Sequence, residues 1–428
     1  MQKQSVWRHA FGLARAVVED IAFDDIAEAV IVSVRPIARE RRRCGRCGRR
    51  SPRFDHGVGR RRWRALDLGI TKVFIEADSP RVSCREHGPT VARVPWARHD
   101  VGHTRDFDDH VAWLAVNVSK TAVTKLMRVA WRTVGAIIAR VAADIDATVD
   151  RLEGLRRIGI DEISYKRGHH YLTVIVDHDT GRLVWAAPGR DEATLHRFFD
   201  DLGEERSGQL TDVSADMATW IARVVAKRAP RAVISADPFH VVAWAVEALD
   251  VERRRAWNAA GGRRRTNTDT GTHRVAVGTA KAIKRARYAL WKNPERLTEP
   301  QQHQLAWIAK TDPRLWEAYL LKEALRYVFS VKGQEGKEAL DRWRAWARSS
   351  NLPSFVRLER RIARHKAAIE ATLETELSNA LIESTNTKIR LLARIAFGFH
   401  GPEPLIALAM LSLGGYPPVL PSSPNPRK

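Results

Sequence analysis

All three cysteines of this 428-residue chain fall in two short knuckles, and that pattern constrains the N-terminal fold more than any other feature. Cys44-Gly-Arg-Cys47 is followed, after a long intervening stretch, by Cys84-Arg-Glu-His87. Two such pairs supply four soft ligands, the set that suits tetrahedral Zn²⁺. Gly45 and Gly48 let backbone amides turn toward the sulfurs. Four protein ligands leave no open position, so the expected site is structural. His56 is a second candidate for the fourth ligand, without the knuckle spacing. With no further cysteine to pair, the chain is not a secreted disulfide scaffold.

Charge sets the second constraint. Lys plus Arg is 72 against 50 Asp plus Glu, a net charge of +22. A surface this basic calls for a polyanionic partner, most often nucleic acid. An apolar fraction of 44% means a folded protein with a basic face rather than a disordered tail. Arginine is densest from Glu40 to Arg64. Arg46, Arg49, Arg50, Arg60, Arg61 and Arg62 would present charge to phosphates, fixing position and affinity more than sequence choice. The N-terminal residues lack a signal-peptide pattern, and no run approaches the ~20 apolar residues of a membrane span. The expected location is the cytoplasm.

The pattern along the chain predicts six segments. Residues 1–98 form a zinc-binding DNA-contact domain, with a short helical pattern over 1–40, a strand-like run at Ala29–Val34 and further strands at Thr71–Glu76 and near Val82. Residues 99–150 carry apolar positions at helical spacing (Val111, Leu114, Ala115, Val118, then Val123, Leu126, Met127, Val134, Ile137, Ile138, Val141), with polar breaks that match a helix-turn-helix. Residues 151–250 read β-β-β-α-β-α-β, with strands at Arg157–Ser164, Tyr171–Asp177, Arg182–Ala187, Gln209–Val213 and Ala232–Ala236. A three-strand meander followed by crossovers gives a mixed sheet of order 3-2-1-4-5. Residues 251–370 are helical, interrupted by a hydrophilic break at Gly261–Thr272. Residues 371–415 add another helix, and 416–428 are a Pro/Ser-rich tail expected to be disordered.

Carboxylates supply the candidate chemistry. Asp161 sits among Ile158, Ile160 and Ile163, where a charge is costly to bury without a partner. Strand alternation places Glu162 on the opposite face. Asp216 follows the fourth strand, and Asp237, opening Asp-Pro-Phe-His240, follows the fifth. The strand order makes Asp216 the nearer partner of Asp161, with Asp237 and His240 as supporting or alternative groups. On a later helix Glu383, Asn386, Thr387 and Arg390 share one face. Two Asp and a Glu brought together repel unless hard cations, Mg²⁺ or Mn²⁺, lie between them.

Taken together, CGRC, CREHG, VPWA, IGIDEIS, VSADM, ADPFHVV, AYLLKEALR and IESTNTKIRLLARIAFGF resemble the bacterial insertion-sequence transposases of the ISL-three type. The resemblance runs from about residue 44 to residue 400. It implies an α/β, ribonuclease-H-like mixed sheet with a large helical insertion, preceded by a small zinc-binding unit and a helix-turn-helix. It implies that Asp161, Asp216 and Glu383 are catalytic and bind magnesium, that Lys388 and Arg390 steady phosphate, and that Asp237 and His240 match an Asp-x-x-His motif of related transposases. It further implies terminal inverted repeats and target DNA as partners, a homo-oligomer on DNA, no membrane, and association with the bacterial nucleoid. A rival expectation is a non-catalytic zinc-finger and helix-turn-helix regulator; another is a metal-dependent nuclease with the same core.

Overall fold

The computed structural model describes residues 2–261, 271–375, 377, 380–396, 398–399 and 401–421. Most of the expected Gly261–Thr272 break and the end of the tail, 422–428, lie outside them. The chain forms two compact units, residues 1–150 with 391–428, and residues 151–390.

The first unit begins with α1 (Gln2–Ala10), then β1 (Ala16–Asp24), β2 (Ala29–Pro36), β3 (Arg53–Asp55), β4 (Arg60–Leu68), β5 (Thr71–Asp78), β6 (Arg81–Cys84) and β7 (Gly88–Val91). Four of these strands make a sheet of order β1-β2-β5-β4, and a small second sheet has order β3-β6-β7. Two elements depart from the sequence expectation. Ala16–Asp24 is a strand, not part of a helical segment. An irregularity between Val18 and Asp20 breaks its alternation, which hides the period of two. The arginine run at 60–64 is also a strand. Trp63 and Ala65 are buried in the sheet core, while Arg60 and Arg62 reach Glu76 on the neighbouring strand.

Three helices follow: α2 (Arg105–Asn117), α3 (Lys120–Met127) and α4 (Trp131–Asp146). Thr104 caps α2 by accepting from the Phe107 amide, and Ser119 caps α3 by accepting from that of Ala122. Arg128 ends α3 in the left-handed conformation with φ 52°. Val111, Ala115, Val123, Val134, Ile137, Ile138 and Val141 are buried as their spacing predicts, whereas Val118 and Leu126 are exposed because each lies at the end of its short helix.

Arg98 ties these helices to the segment that precedes them. Its guanidinium meets Asp108 at 3.3 Å, Asp109 at 2.7 Å and Asp144 at 2.6 Å, and Asp108 is fully buried. Burial pushes the Asp109 carboxyl up, against the pull of Arg98. Removing one partner of such a cluster leaves buried charge uncompensated. Arg98→Met should therefore destabilise this unit by about 3–5 kcal/mol, read as a lower urea midpoint, whereas an exposed substitution such as Arg85→Met should stay within about 0.5 kcal/mol.

The second unit contains β8 (Arg157–Lys166), β9 (His170–Asp177), β10 (Leu183–Pro188), α5 (Glu192–Leu202), α6 (Glu204–Ser207), β11 (Asp212–Ala215), α7 (Thr219–Arg228) and β12 (Val233–Ala236). Its five-stranded sheet has the order β10-β9-β8-β11-β12, which is the expected 3-2-1-4-5. β8–β9 and β9–β10 are antiparallel, and β8–β11 and β11–β12 are parallel. The fourth strand starts at Asp212 rather than Gln209, because the Gln209 amide closes a turn onto Arg206. Ile158, Ile160 and Ala215 bury one face against Leu195, Phe198 and Phe199 of α5 and Ile221 and Val224 of α7.

The helical segment comprises α8 (Pro238–Ala259), α9 (Gly271–Arg285), α10 (Arg287–Trp291), α11 (Glu299–Thr311), α12 (Pro313–Val328), α13 (Gly333–Ser349), α14 (Pro353–Arg364) and α15 (Lys366–Thr375). It has its own core, including Leu249, Leu321, Leu340, Trp343 and Phe355. α15 returns to the sheet edge, where the Thr372 hydroxyl donates to the Ala236 carbonyl at 2.7 Å. α16 (Ala380–Ile395) follows, and the boundary between the units falls within it. The first unit closes with α17 (Pro402–Leu413), which packs on α4.

Candidate zinc unit and acidic centre

The β6–β7 hairpin presents Cys84 and His87, with Cys84 paired to Gly88 across its turn. The opposite knuckle is a turn in which the Gly48 amide donates to the Cys44 carbonyl, with Gly48 at φ +69°. Cys47 and Cys84 sulfurs are 3.7 Å apart, and His87 Nδ1 lies 3.8 Å from Cys44 Sγ and 3.7 Å from Cys84 Sγ. Zn–S bonds of about 2.3 Å arranged tetrahedrally require ligand separations of about 3.8 Å, so the four groups fit the ion. All four ligand atoms lie within 4.8 Å of one another. The contact with His87 pulls the Cys84 thiol down to about 6, toward the thiolate that zinc requires. His56 lies against Arg53 instead, so the fourth ligand position belongs to His87.

The arginines named from the sequence differ in how free their charge is. Arg49 pairs with Glu86, Arg60 with Glu76, and Arg62 with both Glu76 and Asp24. Arg61 donates to the Val101 carbonyl and lies 3.6 Å from Asp100. Among the described residues, Arg46 and Arg50, on either side of Cys47, form no ion pair.

The second centre stands midway along β8, beside the carboxyl ends of β11 and β12. Register aligns Ile160 with Ala215, and Ala215 with Ala236. The next residue on each chain is an aspartate, so Asp161, Asp216 and Asp237 form one row across three adjacent strands. In α/β sheets, ligands bind at this end of the strands. Asp161 Oδ1 accepts from the Glu162 amide at 2.8 Å, and Oδ2 accepts from Asn386 Nδ2 at 2.6 Å. Burial pushes the Asp161 carboxyl up to about 6, and the negative charges of Asp216 and Asp237 add to the shift.

Asp216 accepts from the Ala218 amide at 3.0 Å through Oδ1. Asp237 uses both oxygens within its own helix. Oδ1 caps α8 by accepting from the Phe239 amide at 3.1 Å, and Oδ2 pairs with His240 Nδ1 at 2.5 Å. That pairing raises the imidazole's proton affinity. Glu162, placed by alternation on the opposite face, still belongs to this electrostatic neighbourhood. Burial first, then Asp216 and Asp161, push its carboxyl up to about 7.

The late helix enters through Asn386. Glu383 lies one turn earlier on the same face of α16 and is exposed, as are Lys388 and Arg390. Among the described residues, the Cys₃His set is the one group of three or more such ligands gathered within 4.8 Å, so the Asp161, Asp216 and Glu383 carboxylates stand further apart than that. Asn386 Oδ1 is buried and has no hydrogen-bond partner among the described residues. Its position three residues after Glu383 was the only sequence signal for the contact with Asp161.

A zinc knuckle, a trio of helices and a mixed sheet carrying an aspartate row follow one another along the chain, and each matches a domain of known transposases. Residues 158–409 match the DDE transposase domain of the ISL3 group, residues 92–142 match the helix-turn-helix domain of transposase family ISL3, and residues 40–87 match the zinc finger of the transposases of IS204, IS1001, IS1096 and IS1165. The chain belongs to the ISL3 family of transposases. It is 61% identical over 438 residues to the transposase for insertion sequence element IS1557 of Mycobacterium tuberculosis strains CDC 1551 and H37Rv, covering 99% of each chain. It is 26% identical over 365 residues to the transposase for insertion sequence element IS1001 of Bordetella parapertussis, covering 84% of this chain and 86% of that one. Among the described residues, no helix is long and apolar enough to cross a membrane.

Proposed function

We propose that this transposase binds the terminal inverted repeats of its element through the zinc unit and helix-turn-helix, and cuts and joins DNA at the aspartate row. The observation that carries the reading is the Asn386–Asp161 hydrogen bond, which joins the first strand to the late helix across 225 residues of sequence. Asp161, Asp216 and Glu383 are the acids that bind divalent cations. An all-oxygen donor set, mutual repulsion within the row and the orphaned Asn386 Oδ1 fit hard ions such as Mg²⁺ or Mn²⁺. When bound, such ions supply charge stabilisation to in-line phosphoryl transfer.

Each side chain then has a defined task. Asn386 orients Asp161. Asp216 is the second acid in preference to Asp237, because it directly follows the strand next to β8 and its second oxygen has no partner among the described residues, whereas Asp237 is committed to Phe239 and His240. Asp237 thereby holds His240 beside the row, and this pairing raises the imidazole's proton affinity, favouring a charge that offsets the carboxylates. Lys388 and Arg390 contact phosphates. In the hydrolytic step a water oxygen bonds to phosphorus as the P–O3′ bond breaks, leaving a 3′-hydroxyl at the element end. In joining, that hydroxyl attacks a target phosphate and displaces another 3′ oxygen. Bringing two ends together requires more than one copy of the chain on DNA.

The test is cleavage of a plasmid bearing the element ends, with zinc and Mg²⁺ present. Asp216→Asn and Glu383→Gln should each lower cleavage by about 10³-fold while end binding by gel shift stays within about twofold. Asp237→Asn should retain measurable cleavage. Full activity in Glu383→Gln, or the complete loss falling on Asp237→Asn alone, would overturn the assignment.

A further inference from the structure

The β8–β9 hairpin beyond the aspartate row carries features that the cleavage chemistry does not use. Its tip reads Tyr165-Lys166-Arg167-Gly168-His169-His170-Tyr171. The pairing register shifts between Ser164 and Lys166, which leaves Tyr165 without a cross-strand partner. Bulges of this kind re-aim a side chain and recur beside active sites. Tyr165 packs against His170 with ring centroids 6.1 Å apart, and His169 packs against Tyr171 at 6.3 Å.

A second strand end completes the surface. Gly189 adopts φ +121°, and a β-carbon there would lie 2.1 Å from Thr194 Oγ1, so only glycine fits. This close turn brings the Arg190 guanidinium 4.6 Å from the centre of the Tyr171 ring. The result is an open cleft of ≈ 630 Å³ walled by two tyrosines, two histidines and an arginine. Lys166 and Arg167 stand exposed at its rim. Among the described residues, the one acid lining the cleft is Asp191, which caps α5 by accepting from the Thr194 amide at 2.8 Å, a bond that holds its carboxyl below the usual range.

Aromatic faces interleaved with cations are what unpaired nucleic acid binds, bases stacking on rings while the backbone follows positive charge. A duplex hides its base faces and would engage only the cations. Tyr165 lies four residues beyond Asp161 on the same strand, about 13 Å away at the rise of an extended chain. That is a span of two or three nucleotides. We propose that this cleft is a stacking platform for unpaired bases of the DNA strand that runs to Asp161. The proposal rests on the transposase reading above and adds that the ends are opened, with a few bases unstacked, where the strand approaches the acids.

The experiment measures binding without chemistry. The full-length, zinc-loaded protein, with no Mg²⁺, is titrated into a single-stranded oligonucleotide of about 15 nucleotides containing 2-aminopurine, and separately into the same sequence as a duplex. The Tyr165→Ala, Tyr171→Ala double variant should bind the single strand about tenfold to hundredfold more weakly and lose the stacking-dependent fluorescence change, with duplex affinity within about twofold. The Tyr165→Phe, Tyr171→Phe variant keeps the rings and should bind like the wild type. Unchanged single-strand binding by the alanine variant overturns the platform. So does an equal loss for duplex, or a matching loss in the phenylalanine variant. A protein that stacks single strands yet never cleaves would sink the catalytic reading alone. One that cleaves normally while the alanine variant binds single strands normally would sink the platform alone.

Discussion

Asp161→Asn should yield a protein that binds element ends, cuts no strand, and unfolds at a higher temperature than the wild type. The first outcome follows because end binding is assigned to the zinc unit and helix-turn-helix, and Asp161 belongs to neither. The second follows because asparagine is a poor ligand for a hard cation, and cleavage should fall by about 10³-fold or more. The third is a cost that the functional group imposes on the fold. Asp161 is pushed up to about 6 by burial and by the neighbouring aspartates. Its folded-state value lies above the unfolded one near 4, so the native state holds the proton more tightly, and stability from this group is lost as pH rises from about 4 through 6. Above that range the wild type carries the full penalty, of order 1–3 kcal/mol, which the neutral amide removes.

The hydrogen bonds survive the substitution. Asn386 Oδ1 has no partner among the described residues, so a flipped Asn386 amide can accept from the new side chain. Thermal unfolding with zinc and without Mg²⁺ should show the variant more stable at pH 7.5, with the gap closing near pH 4. Cleavage within tenfold of wild type would defeat the catalytic assignment. Equal unfolding temperatures at pH 7.5 would mean that Asp161 bears no electrostatic burden.

The two centres were legible in the sequence to different degrees, for physical reasons. The knuckles were readable because ligand spacing is local: each pair sits on one tight turn. The strand order was readable because Asp-Thr-Gly at 179–181 and the alternating runs mark the meander, and crossovers then leave few places for the remaining strands. That order put Asp216 beside Asp161. The contact between Asn386 and Asp161 was not readable beyond the shared face of α16, because helical periodicity says which residues lie together and not what they meet. Glu162 was set aside by alternation. Alternation separates side-chain directions, but it does not separate charges, and Asp216 and Asp161 still act on Glu162. β4 was hidden because its alternation is arginine with arginine, and only Trp63 and Ala65 betray the buried side. The tyrosine cleft depends on a register shift at Tyr165, which is a property of the pairing and has no local residue signature.

Cys84→Ser should abolish zinc retention and take DNA end binding with it. The sheet β3-β6-β7 has a core of three buried residues, Cys44, Val82 and Cys84, and two of these are themselves ligands. So little apolar area cannot hold strands of three or four residues together, and a metal has to substitute for the missing core. Structural zinc contributes about 10–16 kcal/mol in small fingers, far more than such a cluster buries. Replacing a thiolate by a neutral hydroxyl removes one of four bonds and leaves polar groups around a vacant centre. The zinc content should fall from one per chain to below about 0.2, and the 40–92 segment should become the first site of proteolysis. Arg46 and Arg50 then lose their fixed positions, and end affinity should drop by about 100-fold with a shallower salt dependence. His56→Ala is the control and should keep its zinc, since that ring faces Arg53. In the wild type, zinc affinity should weaken as pH falls below about 6, where a proton begins to compete with the metal for Cys84. Retention of one zinc by Cys84→Ser, or its loss from His56→Ala, would show that the ligand set is not the one assigned.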